Sequence, residues 1–215
     1  VLEGIATHEA AYTPGFKPEY EGKGTLEAQV VDLSDAIAYA AHDLDDGLRS
    51  GLLRPQELTE VPFLAELARE EGLDLSELTE LSRRILVRQL LGFFITASIE
   101  ATHQRVEGAG VRSPEEVRRH PERLAALTPE AERAHRELKA FLMERFYRHP
   151  EVLRERRKAE IVLENLFHTY TQYPAILPKE VQARIPEEGV ERAVCDYIAG
   201  MTDRYALEAY RKLFP

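Results

Sequence analysis

The chain has one cysteine, Cys195, no tryptophan and only two methionines in 215 residues. A single thiol excludes an internal disulfide framework, and a reducing, cytoplasmic setting is the expectation that fits. Cys195 itself reads as a small core residue rather than a nucleophile. No unbroken run of eighteen apolar residues occurs, so no membrane span is expected. Strand-like alternation, internal repeats and low-complexity tracts are lacking as well. Basic residues are outnumbered, 28 against 38 acids, for a net charge of −10. That balance disfavours broad contact with a phosphate backbone, and strong nucleic-acid binding is not expected, although a local basic pocket remains compatible with it.

What is present is helix, and the fold class expected is all-α. Hydrophobic content of 44% supports a sizeable core. Apolar periodicity predicts a helix from about Leu26 to Leu48, closed by Gly51 and Pro55. Asp74-Leu75-Ser76-Glu77 reads as a capping box for a long helix over 75–107, ended by Gly108-Ala109-Gly110. Ser113-Pro114 and Thr128-Pro129 each open another, the second reaching about Arg148. His149-Pro150 breaks the chain before a helix to about Tyr173. PAILPKE and ARIPEEG read as proline-marked connectors. Helices near 188–199 and 203–213 follow, with Gly200 between them and Thr202 as an N-cap. Residues 9–24 read as an irregular loop. VLEGIATH reads as the end of a helix, and the chain as the later part of a longer protein.

The 26–48 helix sorts its residues into two arcs. Val30, Leu33, Ile37, Ala40, Leu44 and Leu48 share one; Asp32, Asp35, Tyr39, His42, Asp43 and Asp46 share the other. A solvated acidic face is the simplest account of the second arc, but two features oppose it. Five of the eight aspartates in the chain fall within residues 32–46, whereas acids elsewhere are mostly glutamate, the better helix former. Like-charge pairs at Asp32/Asp35 and Asp43/Asp46 add repulsion of about 0.2–0.5 kcal/mol each. Tyr39 also puts an aromatic ring where a solvated face has no use for one. A carboxylate, a ring and a second carboxylate one turn apart can line a groove, with an oxygen for a hard cation and an acceptor for hydroxyls. The His42-Asp43 dipeptide is weak evidence for a metal site, since helix neighbours point about 100° apart.

TLEAQVVDLSDAIAYAAHDLDDGLRSGLL (25–53) resembles the dGTPase-like deoxynucleoside triphosphate triphosphohydrolases of the HD superfamily. VLEGIATHEAAY at the start, FLMERFYRHPEVLRERRKAEIVLENLF (141–167) and VCDYIAGMTDRYALEAYRKLF (194–214) resemble the same family. The resemblance implies an HD-type helical fold, with 1–53 as the end of the HD domain and 54–215 as the associated helical region. The family motif A-D-(D/E)-I-A-Y is matched by Ser34-Asp35-Ala36-Ile37-Ala38-Tyr39. Asp35 thereby takes the position of a metal ligand, Tyr39 that of a tyrosine packed on the deoxyribose, and Asp43 that of a carboxylate accepting from the sugar 3′-hydroxyl. Ala36 departs from the pattern, and the family's upstream His, His-Asp pair and general acid have no counterpart in this chain, so no catalytic residue is assigned.

The activity implied is hydrolysis of a dNTP to deoxynucleoside and triphosphate, with magnesium or manganese as cofactor and a homo-oligomer as the assembly. Arg154, Arg156, Arg157, Lys158 and Arg204 are candidates to neutralise a triphosphate, but read better as surface ion-pair residues. The remaining histidines, His8 and His135 among them, read as structural or exposed. Competing functions are a non-catalytic helical module for oligomerisation or regulation, and another HD-family nucleotide phosphohydrolase.

Overall fold

The computed structural model describes Gly4, Ile5, His8 and residues 22–214; most of the 9–24 segment lies outside these. No strand occurs among the described residues, in keeping with the all-α expectation. Helix α1, Leu26–Ser50, starts where the Thr25 side chain accepts from Ala28 N and ends at Gly51, whose φ of 74° is the left-handed conformation a helix stop requires. A 3₁₀ segment, Pro55–Glu60, leads into α2, Pro62–Glu70, both too short to stand out in the sequence. Helix α3 runs from Glu80 to Ala109. Its cap is Thr79, which accepts from Ser82 N, and not the expected box at Asp74. The Asp74 carboxylate instead accepts from Ser76 N and Oγ, both at 2.7 Å, so it is spent in a local turn two residues on.

Ser113 and Thr128 cap α4, Pro114–Arg119, and α5, Pro129–Leu142, as expected. Helix α5 passes directly into one π-helical turn, Met143–Tyr147. Helix α6 spans Pro150–Gln172, opened by His149 accepting from Glu151 N. ARIPEEG is not a connector: α7, Lys179–Glu188, runs through Pro186. A proline in the exposed last turn removes a single intrahelical hydrogen bond, which solvent can replace. Helices α8, Val190–Ala199, and α9, Asp203–Leu213, follow, and Thr202 caps the latter.

The chain forms two compact units, residues 1–148 and 149–215. In the first, α1 packs on α3 and α5 around a core that includes Leu44, Leu58, Leu64, Leu86, Leu90, Phe94, Leu138 and Leu142, all fully buried. In the second, Val162, Leu166, Tyr170, Val181, Ala193, Val194 and Ala206 form a separate core among α6 to α9. The 53/54 division carried by the family resemblance is a boundary of another kind, which compactness does not address. Cys195 is exposed and is not a core residue. Ala193 and Val194 take the inward side of α8, and the next residue lies about 100° further round.

Two expectations about apolar surface change. Val30, placed on the core arc of α1, is 41% exposed. It lines a groove against Ile99 and Val106 of α3. Helix α3 also contains a stretch long and apolar enough to cross a membrane by length and composition alone. Counting unbroken runs missed it, because Arg88, Thr96 and Ser98 interrupt the run without lowering its average much. One side of α3, including Leu86, Leu90, Phe94 and Ala97, is buried in the core. Across from it, Ile95 and Ile99 are exposed. Gly92 lies between them and the helix start with nothing near its Cβ position, at a cost of about 1 kcal/mol relative to alanine.

Candidate functional site

Asp35, Tyr39 and Asp43 stand one turn apart on the outward side of α1, a spacing of about 6 Å along the axis. Asp35 is exposed, Tyr39 is 61% exposed and Asp43 is half-buried. The sequence placed all three on one arc, and the structure brings a fourth residue to them. The Tyr147 hydroxyl donates to Asp43 Oδ2, and the Tyr147 ring lies 6.4 Å from that of Tyr39. Burial first, and then the hydrogen bond to the Asp43 carboxylate, push the Tyr147 phenol well above its ordinary pKa. It therefore stays a protonated donor at neutral pH.

Tyr147 arrives from the π-helical turn, which adds a residue to the register after α5 and so turns the aromatic pair Phe146-Tyr147 toward α1. The approach is close. A Cβ on Gly47 would come within 2.5 Å of Leu53 Cδ1 and 3.3 Å of Phe146 Cδ2. Glycine at 47 lets the loop after α1 and the π turn both reach the helix, and Leu53 N donates to Gly47 O at 2.9 Å.

The N-terminal end of the wall is organised by His8. Its Nδ1 donates to Asp32 Oδ1 at 2.7 Å, while Nε2 lies 3.9 Å from Asp35 Oδ2. Asp32 also accepts from the Arg123 guanidinium. Burial works to raise the Asp32 pKa, but the hydrogen bonds from His8 and Arg123 outweigh it and hold the carboxyl below its usual range. Asp45, off the arc, accepts from Arg83, which is itself buried at 9% exposure. His135 lies behind the wall, with Nε2 3.2 Å from Ala36 O and its ring edge-on to Phe94 at 5.6 Å. Burial lowers its pKa, so the neutral imidazole is favoured. Of the five clustered aspartates, three are thus held by specific partners: Asp32, Asp43 and Asp45. A merely solvated face would not hold them in this way.

The donor set fits a hard divalent cation in part. Asp35 offers an exposed carboxylate, and His8, oriented through Nδ1 by Asp32, turns its other nitrogen toward it, an arrangement seen around metal-ligating imidazoles. Yet no group of three or more His, Cys, Asp or Glu among the described residues is placed to hold an ion. These side chains alone do not make up a complete coordination sphere.

His8, Arg83, Arg123 and Tyr147 escaped the sequence reading. Tyr147 and His8 had a signal, since they lie in the FLMERFYRHP and VLEGIATHEAAY stretches that carry the family resemblance; Arg83 and Arg123 are long-range partners without local spacing. His42 is exposed on the same helix. The basic residues considered for a triphosphate form short-range ion pairs on their own helices: Arg154 with Glu151, Arg156 and Arg157 with Glu160, Lys158 with Glu155, and Arg204 with Glu208.

Comparison with known proteins agrees with the sequence resemblance. Residues 125–212 match the model of the phosphohydrolase-associated domain. A deoxyguanosinetriphosphate triphosphohydrolase-like protein of Deinococcus deserti is 45% identical over all of this chain and 54% of its own length. A protein of the same description from Deinococcus radiodurans is 44% identical over 99% of this chain and 56% of its own. One from Geobacter sulfurreducens is 38% identical over 100% of this chain and 57% of its own. The chain spans about half the length of these relatives. The chain thus carries the phosphohydrolase-associated domain and is similar along its whole length to proteins described as deoxyguanosinetriphosphate triphosphohydrolase-like.

Proposed function

We propose that the outward side of α1 forms one wall of a site for metal-dependent hydrolysis of deoxynucleoside triphosphates to deoxynucleoside and triphosphate. The observation that carries this reading is the ladder of Asp35, Tyr39 and Asp43, with Tyr147 fixing the last carboxylate. Asp35 would supply one oxygen to a magnesium or manganese ion, with His8 Nε2 turned toward the same carboxylate. Such an ion, when bound, would polarise a phosphate and lower the pKa of an attacking water. The Tyr39 ring packs on the sugar at C2′ and leaves no room for a ribose hydroxyl, which selects deoxynucleotides. Asp43 accepts from the sugar 3′-hydroxyl. Its second partner, the Tyr147 hydroxyl, keeps the carboxylate aimed without a rotamer search, which lowers the entropy lost on binding. A cytoplasmic location suits a nucleotide substrate and a lone free thiol.

The names of the relatives support the substrate class, and the clustering of held aspartates supports a site over a solvated face. A non-catalytic helical module would not need an exposed tyrosine between two carboxylates at one-turn spacing. The test is the ratio of dGTP to GTP turnover by the full-length protein with Tyr39→Ala. A fall in that ratio of tenfold or more, roughly the effect of losing one steric exclusion, is expected. An unchanged ratio, or no turnover of any dNTP by the unsubstituted protein, contradicts the reading.

A further inference from the structure

A cleft at the end of α4 gathers cations in an otherwise acidic chain. Gly22, Lys23, Glu115, Arg118, Arg119 and His120 line a space of about 520 Å³ there. Three cations face one carboxylate, whereas the whole chain carries a net charge of −10. That carboxylate is already committed, since Glu115 Oε1 accepts from the Arg118 guanidinium at 3.0 Å. Lys23 and Arg119 are exposed, and neither has an ion-pair partner among the described residues.

We propose that this cleft binds a small phosphate anion, inorganic phosphate or a short condensed phosphate, recognised by its oxygens alone. Arg119 offers a planar fork of donors and Lys23 a point charge, the two usual partners of phosphate oxygens. Arginines in the last turn of a helix can serve merely to complement its dipole, and that account suffices for Arg118 and Arg119 by themselves. It leaves Lys23 unexplained.

The backbone brings Lys23 in from outside the helix. Lys23 N donates to Arg118 O at 3.1 Å, beside Gly22 with its φ of 97°. A Cβ at position 22 would lie 2.5 Å from Arg118 O, so only glycine permits the approach. Setting an ammonium beside a helix end that already carries Arg119 is unfavourable unless an anion comes between them. The same bond occupies a carbonyl that would repel such an anion, and Val117 O is likewise occupied, by His120 N at 3.2 Å.

Both walls are fixed by one buried side chain, Gln29 of α1, which is 1% exposed. Its Nε2 donates to Gly24 O at 3.3 Å on one side. On the other its Oε1 accepts from Leu124 N at 2.7 Å and Ala125 N at 3.2 Å. A cleft held in this way loses little entropy on binding. The lining also selects the class of ligand. Among the described residues its only ring apart from proline is the His120 imidazole, whose Nδ1 lies 2.8 Å from Glu122 O. Without an aromatic platform to stack a base, the cleft reads phosphate oxygens and not a nucleobase. A nucleic-acid strand is a poorer occupant, because the net negative charge of the chain repels its backbone.

The test is isothermal titration calorimetry of the full-length protein in EDTA, so that no divalent ion draws phosphates elsewhere. Inorganic phosphate, sodium tripolyphosphate and dGTP are the separate titrants. Tripolyphosphate should bind, and more tightly than inorganic phosphate because it offers more oxygens. Lys23→Ala with Arg119→Ala should weaken it at least tenfold, the effect of losing two charge-assisted contacts. Arg119→Lys, which keeps the charge, should stay within about threefold of the unsubstituted protein. Both positions are exposed, so an unchanged unfolding midpoint in the double variant separates a lost contact from a lost fold. No tripolyphosphate binding up to about 1 mM, binding that the double variant retains, or binding of dGTP without tripolyphosphate would each overturn the proposal.

Discussion

The Tyr147 hydroxyl donates to Asp43 Oδ2 across 104 positions of sequence. The bond ties the π-helical turn after α5 to the outward side of α1, and it fixes a carboxylate whose neighbours on the ladder, Asp35 and Tyr39, are exposed. Its consequence for binding can be separated from its consequence for folding.

Tyr147→Phe removes the donor and keeps the ring. In the full-length protein the KM for a dNTP should rise about 3–10-fold with a smaller change in kcat, the effect of losing one hydrogen bond to a charged group that orients the acceptor. Steady-state kinetics at several pH values checks it. Equal loss in kcat and in thermal stability, with KM unmoved, would make Tyr147 a structural residue only.

Gly47→Ala should lower stability by about 1–2 kcal/mol, although alanine is the better helix former. A Cβ 2.5 Å from Leu53 Cδ1 displaces a buried side chain, and overpacking of this kind outweighs the roughly 1 kcal/mol gained in propensity. Urea unfolding gives the sign directly.

Arg83→Ala should cost about 2–4 kcal/mol, since it leaves Asp45 without the buried guanidinium that pairs with it. Arg83→Ala with Asp45→Ala should recover part of the loss. A double variant no more stable than the single one would place the cost in lost packing of the arginine stem.

Asp32 contributes stability that depends on pH in a definite sense. Its folded pKa is held down, so the contribution is fully present above the ordinary carboxylate value, roughly pH 4, and is lost as pH falls through the folded value. Asp32→Asn should therefore be less stable than the unsubstituted chain at pH 7, with the difference shrinking toward zero in strong acid. Unfolding midpoints from pH 7 to 3 measure the convergence; a constant difference would mean that the ionised carboxylate is not what the pairing stabilises.

Local chemistry made much of this molecule readable in advance. Ser113, Thr128 and Thr202 each cap the helix expected of them, because a hydroxyl next to a periodic run has one good use. Asp74 misled because the same side chain can close a turn on itself, and Pro186 because a proline in a last turn costs only one exposed hydrogen bond. The arc of Asp35, Tyr39 and Asp43 was legible from spacing, and its partners were not. Tyr147 and Arg123 reach α1 from more than 90 residues away, through a π turn and a loop, and no periodicity encodes such a contact. Likewise the outward apolar side of α3 was hidden by counting runs, since its apolar residues alternate with Arg88, Thr96 and Ser98.

The central claim is that Asp35 holds the metal of a dNTP-hydrolysing site whose wall is α1. Asp35 is exposed and belongs to no core, so Asp35→Asn should leave the fold intact while removing one charged oxygen donor. The decisive measurement is triphosphate released from dGTP by the full-length protein, with manganese or magnesium supplied, for the unsubstituted form and for Asp35→Asn side by side. The account predicts turnover that falls by at least about a thousandfold in the variant, together with reduced bound metal. Near-normal metal content and turnover in Asp35→Asn would contradict it.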